Sequence, residues 1–165
     1  MRVLIVRHAT AEDASDNAGG DEARTLTKDG RRKLRAAAAG LREVVKGVDV
    51  LATSPLVRAV ETAEMVAEAF DGVKPCKIDE LKPGKPVKGV LQWLQGQAAD
   101  ATVALVGHEP QLGLLVSWLL SGEQRAFVRP KKGSACLLEF EGKVKAGSAV
   151  LLWLLTASQM RKLSG

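Results

Sequence analysis

The stretch Met1-Arg-Val-Leu-Ile-Val-Arg7-His8 decides how the rest of the chain is read. A short apolar run rich in β-branched residues is the mark of an interior strand in a layered α/β fold. The run stops abruptly at an arginine and a histidine, which places both at the C-terminal end of the first strand. Comparable runs recur, and strands are expected at Arg2 to Val6, Val48 to Thr53, Lys74 to Ile78, Thr102 to Val106, Ser134 to Glu141 and Ala149 to Leu155.

Stretches of helical period fill the gaps between the first four runs. Thr27 is placed to cap a first helix carrying Leu34, Ala37, Ala38, Leu41 and Val45 on one face. Ser54-Pro55 reads as an N-cap followed by proline at the first helical position, opening a second helix that runs to about Phe70. A weaker pattern covers Val87 to Leu94, and a fourth helix opens at Pro110 and buries Leu112, Leu115, Val116, Leu119 and Leu120. Alternating strands and helices predict a three-layer α/β/α architecture with a mostly parallel central sheet of about six strands. Gly142-Lys-Val-Lys-Ala-Gly147 joins the last two strands, so the sheet is expected to end in a C-terminal antiparallel hairpin.

The 165 residues are the length of one domain, and 1–165 is read as a single unit. At 46% hydrophobic and 26% charged residues, the composition is that of an ordinary globular protein. A formal net charge of +5 favours anionic partners. The basic residues are dispersed, there is no Tyr and no nucleic-acid reader motif, which speaks against nucleic acid. The basic loops Lys82 to Lys88 and Arg129 to Lys132 are read as solvated surface. Ala149 to Leu155, the longest apolar run, cannot span a bilayer, and the N-terminal run is too short for a signal peptide. No membrane partner and a cytoplasmic location are therefore expected. Cys76 and Cys136 lack a C-x-x-C spacing and read as small buried hydrophobes.

Chemistry converges at strand ends. Arg7-His8 follows the first strand, Thr53-Ser54-Pro55-Leu-Val-Arg58 follows the second, and Gly107-His108-Glu109-Pro110 follows the fourth. Open α/β sheets bind ligands outside the carboxyl ends of their strands, and helix N-termini favour anions there. Two arginines, the chain's two histidines and two helix N-termini thus point to one anion site, with phosphate its natural occupant. A metal site built from His8, His108 and a carboxylate is the competing arrangement, and the adjacent arginines would repel the cation.

Three motifs in this order, Leu4-Ile-Val-Arg7-His8-Ala9, Ser54-Pro55-Leu-Val-Arg58-Ala-Val-Glu-Thr62-Ala63 and Val106-Gly107-His108-Glu-Pro110, resemble the histidine phosphatase superfamily. With Leu26-Thr27-Lys-Asp-Gly30 and the small size, they look like its SixA-type phosphohistidine phosphatase branch. The resemblance implies a phosphoglycerate mutase-like fold and metal-independent hydrolysis with no cofactor. It implies that His8 attacks phosphorus and is transiently phosphorylated, while Arg7, Arg58 and His108 hold the phosphoryl oxygens. A nucleophilic imidazole must be neutral, whereas His108 would serve best as a cation. Glu80 is the best match for the carboxylate that many members use as general acid. The implied partner is a phosphohistidine-bearing protein such as a histidine phosphotransfer domain. The alternatives are a small-molecule phosphomonoesterase and a non-catalytic phosphoprotein-binding module.

Larger relatives carry insertions that roof the pocket, and here only the loop from Asp13 to Asp21 offers partial cover, which implies an open, shallow site. Glu61, Glu64 and Glu68 are expected on the solvent face of the second helix. Ala9 replaces the hallmark glycine, and if that position needs positive φ the alanine costs ~1 kcal/mol or more.

Overall fold

The structure, a computed structural model, describes residues 1–16 and 19–164. The strands are β1 (Arg2–Arg7), β2 (Val50–Thr53), β3 (Pro75–Lys77), β4 (Thr102–Gly107), β5 (Ala135–Glu139) and β6 (Val150–Leu155). They form one six-stranded sheet in the order β3-β2-β4-β1-β5-β6. β1, β4, β2 and β3 pair in parallel, and β5 runs antiparallel to both its neighbours. The expected C-terminal hairpin is present, and β5 is the one reversed strand of the sheet.

The helices are α1 (Lys28–Val44), α2 (Val57–Ala69), α3 (Val87–Gln95), α4 (Gln111–Ser121) and α5 (Ala157–Met160). On one face of the sheet Val90, Leu94, Leu112 and Leu115 from α3 and α4 pack on Val3, Ile5, Val103 and Leu105. On the other, Ala37, Leu41, Ala63 and Val66 from α1 and α2 pack on Leu4, Val6, Ala104 and Val106. Odd and even residues of β1 thus enter different cores, which is why its apolar run is continuous rather than alternating. The layers are α/β/α as expected.

Four details differ from the sequence reading. α2 starts at Val57, because Ser54 still pairs its N–H with the Val106 carbonyl of β4 at 3.0 Å and Leu56 takes the extended cap conformation. Leu120 is only partly buried at the end of α4. Cys76 is exposed on the edge strand β3, while Cys136 is buried and its thiol is pushed up to about 12 by desolvation. α5, absent from the sequence reading, is a single turn opened by a capping box between Thr156 and Gln159.

The last apolar run forms the opposite edge, where Val150, Leu151, Leu152 and Leu154 are exposed. Among the described residues no helix is long and apolar enough to cross a membrane.

Candidate active site

The three motif-bearing strands are neighbours and parallel, so their last residues emerge side by side: Arg7 is level with Gly107, and Thr53 with Val106. Backbone bonds continue past the strands, from His8 N–H to the Gly107 carbonyl and from Gly133 N–H to the Arg7 and His8 carbonyls, all 3.1 Å. The turn after β1 is therefore gripped from both sides. The imidazoles of His8 and His108 lie with centroids 5.0 Å apart and planes tilted by 53°. Their residues are 7% and 2% exposed, so both rings are buried.

His8 Nδ1 lies 2.7 Å from the Ala9 carbonyl oxygen. A carbonyl only accepts, so Nδ1 carries the proton and Nε2 keeps its lone pair. Burial, with Arg58, Arg7 and Lys132 adding to it, lowers the His8 pKa to about 4 against the opposing Ala9 hydrogen bond. The ring is neutral at neutral pH, as a nucleophile must be.

Asp71 is the one non-glycine residue with positive φ among the described residues, so Ala9 is unstrained and the missing glycine carries no backbone penalty. Ala9 N–H donates to Thr62 Oγ1, whose hydroxyl donates to the Arg58 carbonyl at 2.7 Å. The Leu26-Thr27-Lys-Asp-Gly30 motif props the same loop. Thr27 N–H donates to the Thr10 carbonyl, and the Thr27 hydroxyl caps Gly30.

His108 Nε2 is 2.9 Å from Ser54 Oγ, while its Nδ1 is buried with no partner. Burial, then His8, Arg58 and Arg7, lower its pKa to about 3, with Asp21 opposing. Desolvation thus works against the cation expected of His108, because burial penalises its charge. When the Ser54 hydroxyl donates to Nε2, the proton sits on Nδ1 and a neutral ring still offers one donor to an anion.

Arg7 Nη1 donates to the Pro130 carbonyl at 2.9 Å, which leaves its buried Nε unpartnered. Arg58 sits on the first turn of α2 and donates from Nη1 and Nη2 to the carbonyl and carboxylate of Asp21, at 2.6 and 3.0 Å. Its Nε is also buried and unpartnered. The four residues named from the sequence, Arg7, His8, Arg58 and His108, are therefore brought together, with unpaired donors on three of them.

Glu80 is placed differently. Its side chain lies against Gly89 of α3, where a Cβ would meet Glu80 Cγ at 3.1 Å, and it lines a cleft with Lys85, Lys88 and Gln92. Glu109 caps α4 through Gly113 N–H at 2.7 Å, and burial raises its pKa. Glu61 is not a free surface charge: it accepts from Leu26 N–H and pairs with Arg31, while Glu64 and Glu68 are exposed as expected. Among the described residues no group of three His, Cys, Asp or Glu side chains could hold a metal ion. Of the loop from Asp13 to Asp21, residues 17 and 18 lie outside the described part of the chain.

Sequence reasoning missed that Ser54 and Asp21 bond to the site residues His108 and Arg58. Ser54 was hidden by its resemblance to a helix cap, and Asp21 was read only as the end of a covering loop.

The profile of the histidine phosphatase superfamily (branch 1) matches residues 3–82. The phosphohistidine phosphatase SixA of Escherichia coli is 32% identical over 126 residues, covering 74% of this chain and 76% of that protein. The chain belongs to the histidine phosphatase superfamily. Within the superfamily it falls in the SixA-type branch and is a hydrolase of the phosphatase class. The structure of the protein histidine phosphatase SixA complexed with tungstate matches it with a TM-score of 0.83 at 25% identity, covering 96% of this chain and 98% of that one. An uncharacterized protein of Picosynechococcus is 32% identical over 160 residues, 95% of this chain and 96% of its own length.

Proposed function

We propose that this superfamily member is a phosphohistidine phosphatase that clears phosphate from a phosphohistidine-bearing protein through a covalent phospho-His8 intermediate. The observation that carries the proposal is the His8 Nδ1 to Ala9 carbonyl bond, which leaves Nε2 as a free lone pair in a pocket of unpaired cationic donors. Nε2 attacks phosphorus as the bond from phosphorus to the substrate imidazole breaks, and the departing imidazole takes the electron pair. Arg7, Arg58 and His108 Nδ1–H stabilise the charge spread over the phosphoryl oxygens. Water then attacks phospho-His8, releasing phosphate and restoring the lone pair on Nε2. Phosphoryl transfer asks for in-line positioning and charge neutralisation, and these residues can supply both.

A departing imidazole can carry a proton on its other nitrogen and then leaves neutral, so a strong general acid is needed less than for an alcohol. Glu80 is accordingly assigned no step with a P–N substrate. The name of the Escherichia coli relative supports the substrate class.

The test is to incubate the purified protein, without added metal, with a ³²P-labelled phosphohistidine protein. Loss of label from the substrate is expected, with acid-labile ³²P trapped on the enzyme and absent from His8→Ala. Sugar phosphates or nucleotides turning over far faster would move the assignment to a small-molecule phosphomonoesterase. Binding without turnover or trapped label would make the protein a phosphoprotein-binding module.

A further inference from the structure

The sequence motifs leave Asp21 without a part, yet it touches the phosphate-binding arginine at two points. Its carbonyl accepts from Arg58 Nη1 at 2.6 Å and its Oδ2 from Nη2 at 3.0 Å. The other carboxylate oxygen, Oδ1, accepts from Arg24 Nη1 at 2.8 Å. Arg24 is itself anchored through its Nε to the Glu12 carbonyl. A chain of contacts thus runs from the loop after β1, through Arg24 and Asp21, to the guanidinium of Arg58.

We infer that Asp21 is a positioning residue that fixes the guanidinium plane of Arg58, so that its Nε edge is the one offered to the phosphoryl group. This rests on the reading of Arg58 as a phosphoryl ligand. Arginine presents five donors in a rigid planar fork on a stem with several rotatable bonds. Held at Nη1 and Nη2 by two acceptors of one residue, the fork can neither rotate nor translate. The donor left unpartnered on Arg58 is Nε, and the Arg58 side chain is only 6% exposed. Two neighbouring groups are in the same condition, Arg7 Nε and His108 Nδ1, both buried and unpartnered. Three buried, unpartnered donors thus sit on three side chains near His8, and Asp21 holds one of the three in place.

The contact has little to do with holding the fold together. The Asp21 side chain is 54% exposed on a single 3-10 turn, and ion pairs with so exposed a partner contribute little to stability. Position is another matter, because a misplacement of about 1 Å in a reacting constellation costs up to ~10²-fold in rate.

The test is a double-mutant cycle between Asp21→Ala and Arg58→Ala, with Asp21→Asn as the conservative variant. Steady-state kinetics on the phosphohistidine protein and calorimetric affinity for inorganic phosphate are the two readouts. Asp21→Ala alone is expected to lower kcat/KM about tenfold or more, at an unchanged Tm. Asp21→Asn keeps the main-chain carbonyl and one side-chain acceptor for Arg58, and should stay within about threefold of the parent. Added to Arg58→Ala, Asp21→Ala should cost nothing further, since a residue that acts through Arg58 has nothing left to position.

Equal losses in both backgrounds would overturn the assignment, as would an unchanged kcat/KM in Asp21→Ala. A raised kcat/KM would overturn it too, showing that Asp21 obstructs Arg58. If the parent hydrolyses no phosphorylated substrate, the functional reading fails separately. The same cycle on phosphate affinity still decides the role of Asp21: a loss confined to the Arg58 background supports it, and an additive loss or none rejects it.

Discussion

His8 and His108 are the same residue type at the same kind of strand end, and their hydrogen bonds give them opposite duties. The Ala9 carbonyl draws the proton of His8 onto Nδ1 and frees Nε2 as nucleophile. Ser54 sits on Nε2 of His108, and where its hydroxyl donates, Nδ1 is left as the donor. Removing the Ser54 hydroxyl frees His108 to place its proton on either nitrogen, so part of the population loses its donor. Ser54→Ala is therefore expected to lower kcat about tenfold, less than the ~10²- to 10³-fold loss typical when such a donor is removed outright, as in His108→Ala. Initial rates of the three proteins check this. Parent-like rates in Ser54→Ala would show that something else sets the His108 tautomer.

Two glycines in α1 separate stability from activity at the level of elements. A Cβ on Gly30 would collide with the Thr10 carbonyl oxygen, and one on Gly40 with the Met160 carbonyl oxygen of α5. Each clash is with backbone, which cannot turn aside as a side-chain tip can. Both Gly30→Ala and Gly40→Ala should destabilise by about 1–3 kcal/mol, a fall of several degrees in Tm. Thr10 is two residues from His8, while Met160 packs in the core beneath α1. Only Gly30→Ala should therefore also lower kcat. Thermal unfolding beside steady-state kinetics tests the contrast, and an equal loss of kcat in Gly40→Ala would refute it. α1 was legible from Thr27 onward because a cap and a 3.6-residue period are local signals. α5 was not, because its four residues are too few to show a period and its place is set by Gly40 on another helix.

For the molecule as a whole, the pocket implies a measurable acid sensitivity. The chain has two histidines, and both have folded-state pKa values depressed from 6.5, to about 4 and about 3, chiefly by burial. Between pH 6.5 and 4 the unfolded chain binds protons that the folded pocket refuses, so stability falls as pH falls through this window and is unaffected by these groups above it. Tm should hold between pH 7 and 8 and decline from pH 6.5 to 5. A His8→Ala/His108→Ala double variant should flatten that decline, and an undiminished slope in it would assign the sensitivity to other groups. Inorganic phosphate, bound through the same donors, should raise Tm at neutral pH by mass action.

Local chemistry was enough to read much of this protein from its residues. Apolar runs marked the strands, Thr27 marked the start of α1, and the placing of Arg7-His8, Arg58 and Gly107-His108 at strand ends marked a single anion site. Tertiary structure alone decided which strands are neighbours, and so that β6 is an exposed edge although all six of its residues are apolar. It alone decided that Ser54 serves His108 rather than a helix terminus, that Asp21 reaches Arg58 across 37 positions, and that burial keeps both histidines neutral. A strand or a cap is set by interactions within a few residues. A tautomer, a pKa or the orientation of a guanidinium is set by whichever atoms the fold brings to it, and those come from distant parts of the chain.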